Sequence, residues 1–296
     1  MKDYKITCCS TCDISAEHLA SLGIPFAKYH YIIDGVDNLD DLYTTSTPEQ
    51  FYGAIDGGAL PTTSQVTPEE LLELWRPILN AGSDVLHIEF SSGLSGGYAS
   101  ATAARDEAAK LYPESKVIVV DSLAASAGYG LLVDKAAELK AGGMGIEELA
   151  SWLEENKLRV RHWFFSTNLQ HFKRGGRISG TAAAIGSLLK ICPVMDVNNK
   201  GKLIIRKKVP GKKKAIKALY DQMCAQAEGG MGYNQKCYIS HSRVIEDAGE
   251  LASMIEEGFS DLNGRVEIDN IGTVIGSHTG PGCVALFYFS DSKRGE

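Results

Sequence analysis

The chain is predicted to be α/β. Residues 1–156 should form a mainly parallel sheet with helices on both faces. Residues 157–296 should form a mixed α/β (α+β) domain with a mixed or antiparallel sheet. Three observations lead there. Short apolar runs alternate with helical stretches through the first half, the pattern of βαβ units. That alternation breaks near Asn156, and strand-like runs then follow one another more closely. Asn199-Lys200-Gly201 lies between two of those runs, where a hairpin turn belongs.

In order, 4–9, 24–33, 84–90 and 116–120 read as strands of the first sheet. Helical stretches cover 48–54, 68–79, 98–111, 124–139 and 146–155. The helix at 68 has the clearest start: Thr67 suits the N-cap, Pro68 the first helical position, and Glu70 completes a capping box. Beyond Asn156, strands are expected at 160–166, 194–198, 203–207, 236–240, 265–269 and 284–289, with helices at 215–227 and 248–258.

Composition narrows the function classes. The chain has 296 residues, enough for one large or two ordinary domains, with 44% apolar residues. A formal charge of −7 and a pI near 5.6 argue against nucleic-acid binding. The N-terminus enters a strand without the apolar run of a signal peptide, and no window is long enough for a transmembrane segment. Seven cysteines, an odd count, predict reduced thiols and a cytoplasmic location.

Three polar segments stand out. His278 sits among Gly272, Gly276, Gly280 and Gly282 in what reads as a loop before the last strand. Thr62, Thr63, Ser64 and Gln65 precede the cap at Thr67, and capping does not account for them. Ser91 to Tyr98 links a strand to an alanine-rich helix, an arrangement that offers backbone N–H groups to an anion. Ser95 reads equally well as the N-cap of that helix. Hydroxyls, a helix start and a histidine are suitable donors for a carboxylate taken out of water.

Two other chemistries are readable. Gly93-Leu94-Ser95-Gly96-Gly97 fits a serine esterase elbow, with Asp269 and His278 following in hydrolase order. No His-Gly-Gly-Gly oxyanion segment precedes it. Cys9 and Cys12 have Cys-x-x-Cys spacing, but no second Cys/His pair with zinc spacing exists, so small residues packed at a strand end are expected and no metal.

The chain resembles the DegV family of bacterial fatty-acid-binding proteins. Thr63-Ser64-Gln65, Ser91-Ser92-x-Leu94-Ser95-Gly96, Gly175-Gly176-Arg177-Ile178 and His278-x-Gly280-Pro281-Gly282 carry the resemblance, in that order, with Ser10-Thr11-x-Asp13 near the start. Cys9 stands where the family usually has aspartate. Gly97 and Ala99 replace the family's threonine and glutamine.

The resemblance implies a long-chain fatty acid such as palmitate, stearate or oleate, held in a buried pocket between the two halves, and no cofactor. It implies Thr63 and Ser92 as carboxylate ligands with His278 nearby, and Thr62, Gly93 and Ser95 as the next candidates. It also implies an ATP-dependent fatty acid kinase partner, met near Arg177 and Arg206, that makes acyl phosphate for phospholipid synthesis. This chain would then be the lipid-binding subunit with no catalytic residue of its own, and it has no P-loop. Transient membrane contact is compatible with that role. A basic cluster, Arg174 and Arg177 around Gly175-Gly176 and then Arg206, Lys207, Lys208, Lys212 to Lys214 and Lys217, reads as a solvated turn and helix face or as a docking surface for an anionic partner.

Overall fold

The computed structural model describes residues 2–178 and 191–296. Thirteen strands are described: β1 Tyr4–Cys9, β2 Phe26–Ala27, β3 His30–Ile33, β4 Val36–Leu39, β5 Thr62–Ser64, β6 Asp84–Glu89, β7 Val117–Asp121, β8 Val160–Ser166, β9 Ile191–Val197, β10 Leu203–Pro210, β11 Tyr238–His241, β12 Glu267–Asn270 and β13 Cys283–Phe289. The helices that matter below are α1 Ala16–Ser21, α2 Pro48–Asp56, α3 Pro68–Asn80, α4 Gly97–Leu111, α5 Ser126–Ala141, α6 Ile146–Asn156, α7 Gln170–Arg174, α8 Lys212–Gln226, α9 Ile245–Gly258 and α10 Thr273–Thr279.

Strands β2-β1-β6-β7 form the parallel sheet, in that order. Every residue of β6 is buried, as a central strand covered on both faces requires. Strands β10-β9-β8-β13-β11-β12 form the second sheet, which is antiparallel except for the β11–β12 pair. The mixed α/β class is as the sequence predicts. The β9–β10 hairpin turns at Gly201, whose φ of +69° suits glycine.

Helix α5 packs against β1 on one side and β8, β11 and β13 on the other. Its first half is buried all round, from Ser126 to Asp134. Two glycines permit this. A Cβ on Gly128 would lie 2.4 Å from the His162 ring, and one on Gly130 would lie 2.5 Å from Ile14. Capping at α3 is as expected, with Thr67 and Glu70 forming the reciprocal box.

The short elements β5, α1 and α7 have no counterpart in the sequence reading, and two further differences shape the site. The run 24–33 is two strands, not one. β2 joins the parallel sheet, while β3 leaves it to form a small antiparallel sheet, β4-β3-β5. The hairpin turns on Asp34-Gly35, both with positive φ, which is the turn that Asp-Gly favours. The loop expected around His278 is instead helix α10. Gly276 lets it approach α2, since a Cβ there would stand 2.6 Å from the Tyr52 hydroxyl. Tyr43 and Tyr52 both donate to Ile271 O at 2.9 Å, just before α10. Among the described residues, no helix is long and apolar enough to cross a membrane.

Candidate functional site

A cavity of about 320 Å³ opens where β5, the loop before α4, α10 and the second sheet meet. That is within the range of small-molecule sites, roughly 300–1,000 Å³. Much of its wall is apolar. Phe90, Leu94, Phe164, Phe172, Leu203 and Phe287 all line it. Strand alternation explains one side: Cys283, Ala285 and Phe287 of β13 face the cavity, at period two.

Polar groups also line the cavity. β5 pairs with β3, with Thr63 opposite Tyr31, and this turns Thr63 toward α10. Its Oγ1 lies 2.8 Å from His278 Nε2. Ser95 and Gln65 line the wall beside it. Gln65 donates to Ser100 Oγ at 2.9 Å and packs over Gly96, where a Cβ would stand 2.3 Å from Gln65 Oε1.

Burial, with the charges of Arg177 and Arg174 close by, pushes His278 down to about 4. The ring is therefore neutral at neutral pH. Among the described residues, its Nδ1 is buried without a hydrogen-bond partner, under Gly175, where a Cβ would lie 2.3 Å away. With the proton on Nε2, His278 donates to Thr63, and the Thr63 hydroxyl is left to donate into the cavity. The shift also sets a pH dependence. An unfolded histidine titrates near 6.5, so between about 6.5 and 4 the unfolded chain takes up a proton that the folded site refuses. Stability present above that window is lost as the pH falls through it. Urea unfolding should show about 2 kcal/mol lost from this residue alone between pH 7 and pH 5. His278→Gln should lack that contribution; equal pH slopes for parent and variant would refute the assignment.

Among the described lining residues, Arg177 is the one with a permanent charge, and none is acidic. Its guanidinium is half-buried, which lowers its pKa. Nε donates to Leu94 O at 3.2 Å, and Nη1 donates to Gly175 O.

Other expected residues fall elsewhere. Ser92 is exposed and does not line the cavity. Its N–H donates to Asp121 Oδ1 at 3.1 Å, which holds the loop so that Ser95, three residues on, reaches the wall. Thr62 alternates outward from Thr63 and is exposed. Gly93 packs on the β9–β10 turn, where a Cβ would stand 2.4 Å from Lys200 O. Arg206 lies on β10, three residues beyond Leu203, and is not part of the wall. It bonds Glu296 O at 2.8 Å and pairs with Asp196 at 3.3 Å.

Ser95 is not the N-cap of α4; Gly96 is. Ser95 Oγ instead accepts the Gly97 N–H at 3.2 Å. The esterase arrangement does not form. Among the described residues, His278 bonds Thr63, not Ser95, and no carboxylate reaches its Nδ1. The sequence reading did not single out Tyr29, Phe164 or Phe172. These are ordinary core residues by pattern, and only the packing of three sheets brings them to one cavity.

Comparison with known proteins agrees with this architecture. A model of the DegV family, described as uncharacterised proteins, matches residues 3–291. A DegV domain-containing protein of Clostridium perfringens is 40% identical over 294 residues, covering 99% of this chain and all of that one. Among solved structures, a DegV family protein of Thermus thermophilus, described for its fatty acid binding, has 29% identity and a TM-score of 0.84, covering 98% of this chain and all of that one. The fatty acid binding protein DegV of Bacillus subtilis has 26% identity and a TM-score of 0.83 over the same shares. A Streptococcus pneumoniae fatty acid kinase B3 protein loaded with linoleic acid, 20% identical with a TM-score of 0.83 over 98% of this chain and all of that one, shares the fold. With the family model matched from near one end to the other, and a relative this similar over its full length, the chain belongs to the DegV family.

Proposed function

We propose that this protein holds one long-chain fatty acid, tail in the apolar cavity and carboxylate against Thr63, Ser95 and Arg177, and presents it to an ATP-dependent fatty acid kinase. One observation carries the reading. Among the described residues, a largely apolar cavity has a single charged lining residue, a cation, whose field reaches the Thr63–His278 pair. An amphipathic anion complements such a cavity. Burying the tail contributes about 0.8 kcal/mol per methylene, on the order of 12 kcal/mol gross for palmitate before the costs of association. The head-group donors then fix orientation more than affinity.

The role of Ser92 passes to Ser95 in this proposal, because of these two loop serines Ser95 lines the wall. Arg177 acts on the carboxylate itself. Arg206 is exposed and free of the cavity, which suits a group that steers an anionic partner. The kinase would bring the ATP machinery, and the acyl phosphate it forms would enter phospholipid synthesis. In a test with palmitate-loaded protein, a cognate kinase and ATP, Arg206→Ala should keep full lipid occupancy. Acyl phosphate should form more slowly, on the order of tenfold. An unchanged rate, or equal losses of occupancy and rate, would defeat the docking role.

A further inference from the structure

Strand register builds a second polar cluster that the lipid reading does not use. β1 and β6 are parallel neighbours, with Thr7 opposite His87. Two residues on along each strand, Cys9 and Glu89 return to the same face. All four are fully buried. Cys9 Sγ lies 3.3 Å from Glu89 Oε2 and 3.8 Å from His87 Nε2, and that nitrogen lies 2.9 Å from the same carboxylate oxygen. A point roughly 2 Å from all three atoms exists inside this triangle, close to the bond lengths zinc takes to nitrogen, oxygen and sulfur.

The outer atoms of these side chains are also held. His87 Nδ1 is 2.9 Å from Thr7 Oγ1, which accepts the Trp75 indole N–H at 3.2 Å. Glu89 Oε1 accepts the Tyr29 hydroxyl at 3.0 Å and the Phe90 N–H at 2.9 Å. The Cys9 N–H donates to the Tyr129 oxygen at 2.9 Å. Such supporting bonds orient metal ligands. Charge points the same way. Glu89 is fully buried, and His87 is the one basic group described in an ion pair with it. A divalent ion with one thiolate and one carboxylate makes the cluster neutral. The sulfur, nitrogen and oxygen donors suit zinc; magnesium and calcium prefer all-oxygen sites.

We propose that Cys9, His87 and Glu89 form a buried zinc site that ties β1 to β6 beneath Tyr29. Zinc displaces the thiol proton to solvent. The imidazole proton moves to Nδ1, where the Thr7 oxygen accepts it. The pairing is not with Cys12, as sequence spacing would suggest, but across two strands.

The test measures zinc by mass spectrometry in protein purified without chelator. Wild type is also unfolded in chelator, refolded metal-free and titrated with cobalt. About one zinc per chain, and a thiolate-to-cobalt absorption band on refolding, are expected. Cys9→Ser should lose both, and Cys224→Ser, on α8 outside the cluster, should keep both. Wild type that takes up neither metal overturns the proposal and leaves a hydrogen-bonded network. Full zinc in Cys9→Ser overturns it too, since the ion then sits elsewhere. If Cys9→Ser does not fold, the cobalt spectrum of refolded wild type decides.

Discussion

Ala285→Phe should abolish tight binding of long acyl chains while leaving short ones nearly unaffected. Ala285 lies on β13, opposite Phe164, and its side of the strand faces the cavity. A ring there would occupy space that the tail needs. Excluding about eight methylenes forfeits on the order of 6 kcal/mol of gross driving force, more than a thousandfold in Kd. Overpacking a buried strand also costs about 1–3 kcal/mol of stability, so the unfolding midpoint of the variant has to be measured beside its affinity. Calorimetric titration with palmitate and octanoate separates the two effects. Palmitate should lose its advantage over octanoate. A folded variant that still binds palmitate like wild type would mean that the tail lies elsewhere.

Thr63→Val should weaken palmitate binding by about 1–3 kcal/mol, roughly five- to 150-fold. Valine keeps the shape and the β-branched preference for a strand, so β5 should hold its pairing with β3. What is lost is the hydroxyl between His278 and the proposed carboxylate. His278 Nε2 would then lose its Thr63 partner, and Nδ1 has none among the described residues of the parent. The ligand would lose one donor and the orientation it confers. Unchanged affinity in a folded Thr63→Val protein would remove Thr63 from the site.

How far the sequence reads depends on how local the signal is. The apolar runs of β1, β6 and β13 and the capping box at Thr67 are carried by neighbouring residues, and their element types read correctly. The β3–β4 hairpin had a local signal too, Asp34-Gly35, hidden inside a longer strand-like region. Helix α10 gave none. Its glycines and hydroxyls look like a loop, and its stability comes from packing on α7, β3, β5 and, through Gly276, α2. The Thr63–His278 contact joins residues 215 positions apart, so it came from family resemblance rather than from pattern. The same limit explains Ser92 and Ser95. Both are hydroxyls of one loop, and the loop's bonds to Asp121, Ser91 and Gly201, distant in sequence or set by the turn, accompany the one that faces inward. The Cys9–His87–Glu89 cluster is read from register, which a single strand's sequence does not contain.

The central claim, that the cavity around Thr63, His278 and Arg177 holds a fatty acid, is tested most directly by denaturing purified protein in organic solvent and weighing what it releases. Mass spectrometry of the extract should find long-chain fatty acid at about one molecule per chain, as a single site for one tail requires. Delipidated protein should recover the same ratio on incubation with palmitate. Protein that is purified empty, and that takes up no added palmitate while fully folded, would contradict the account.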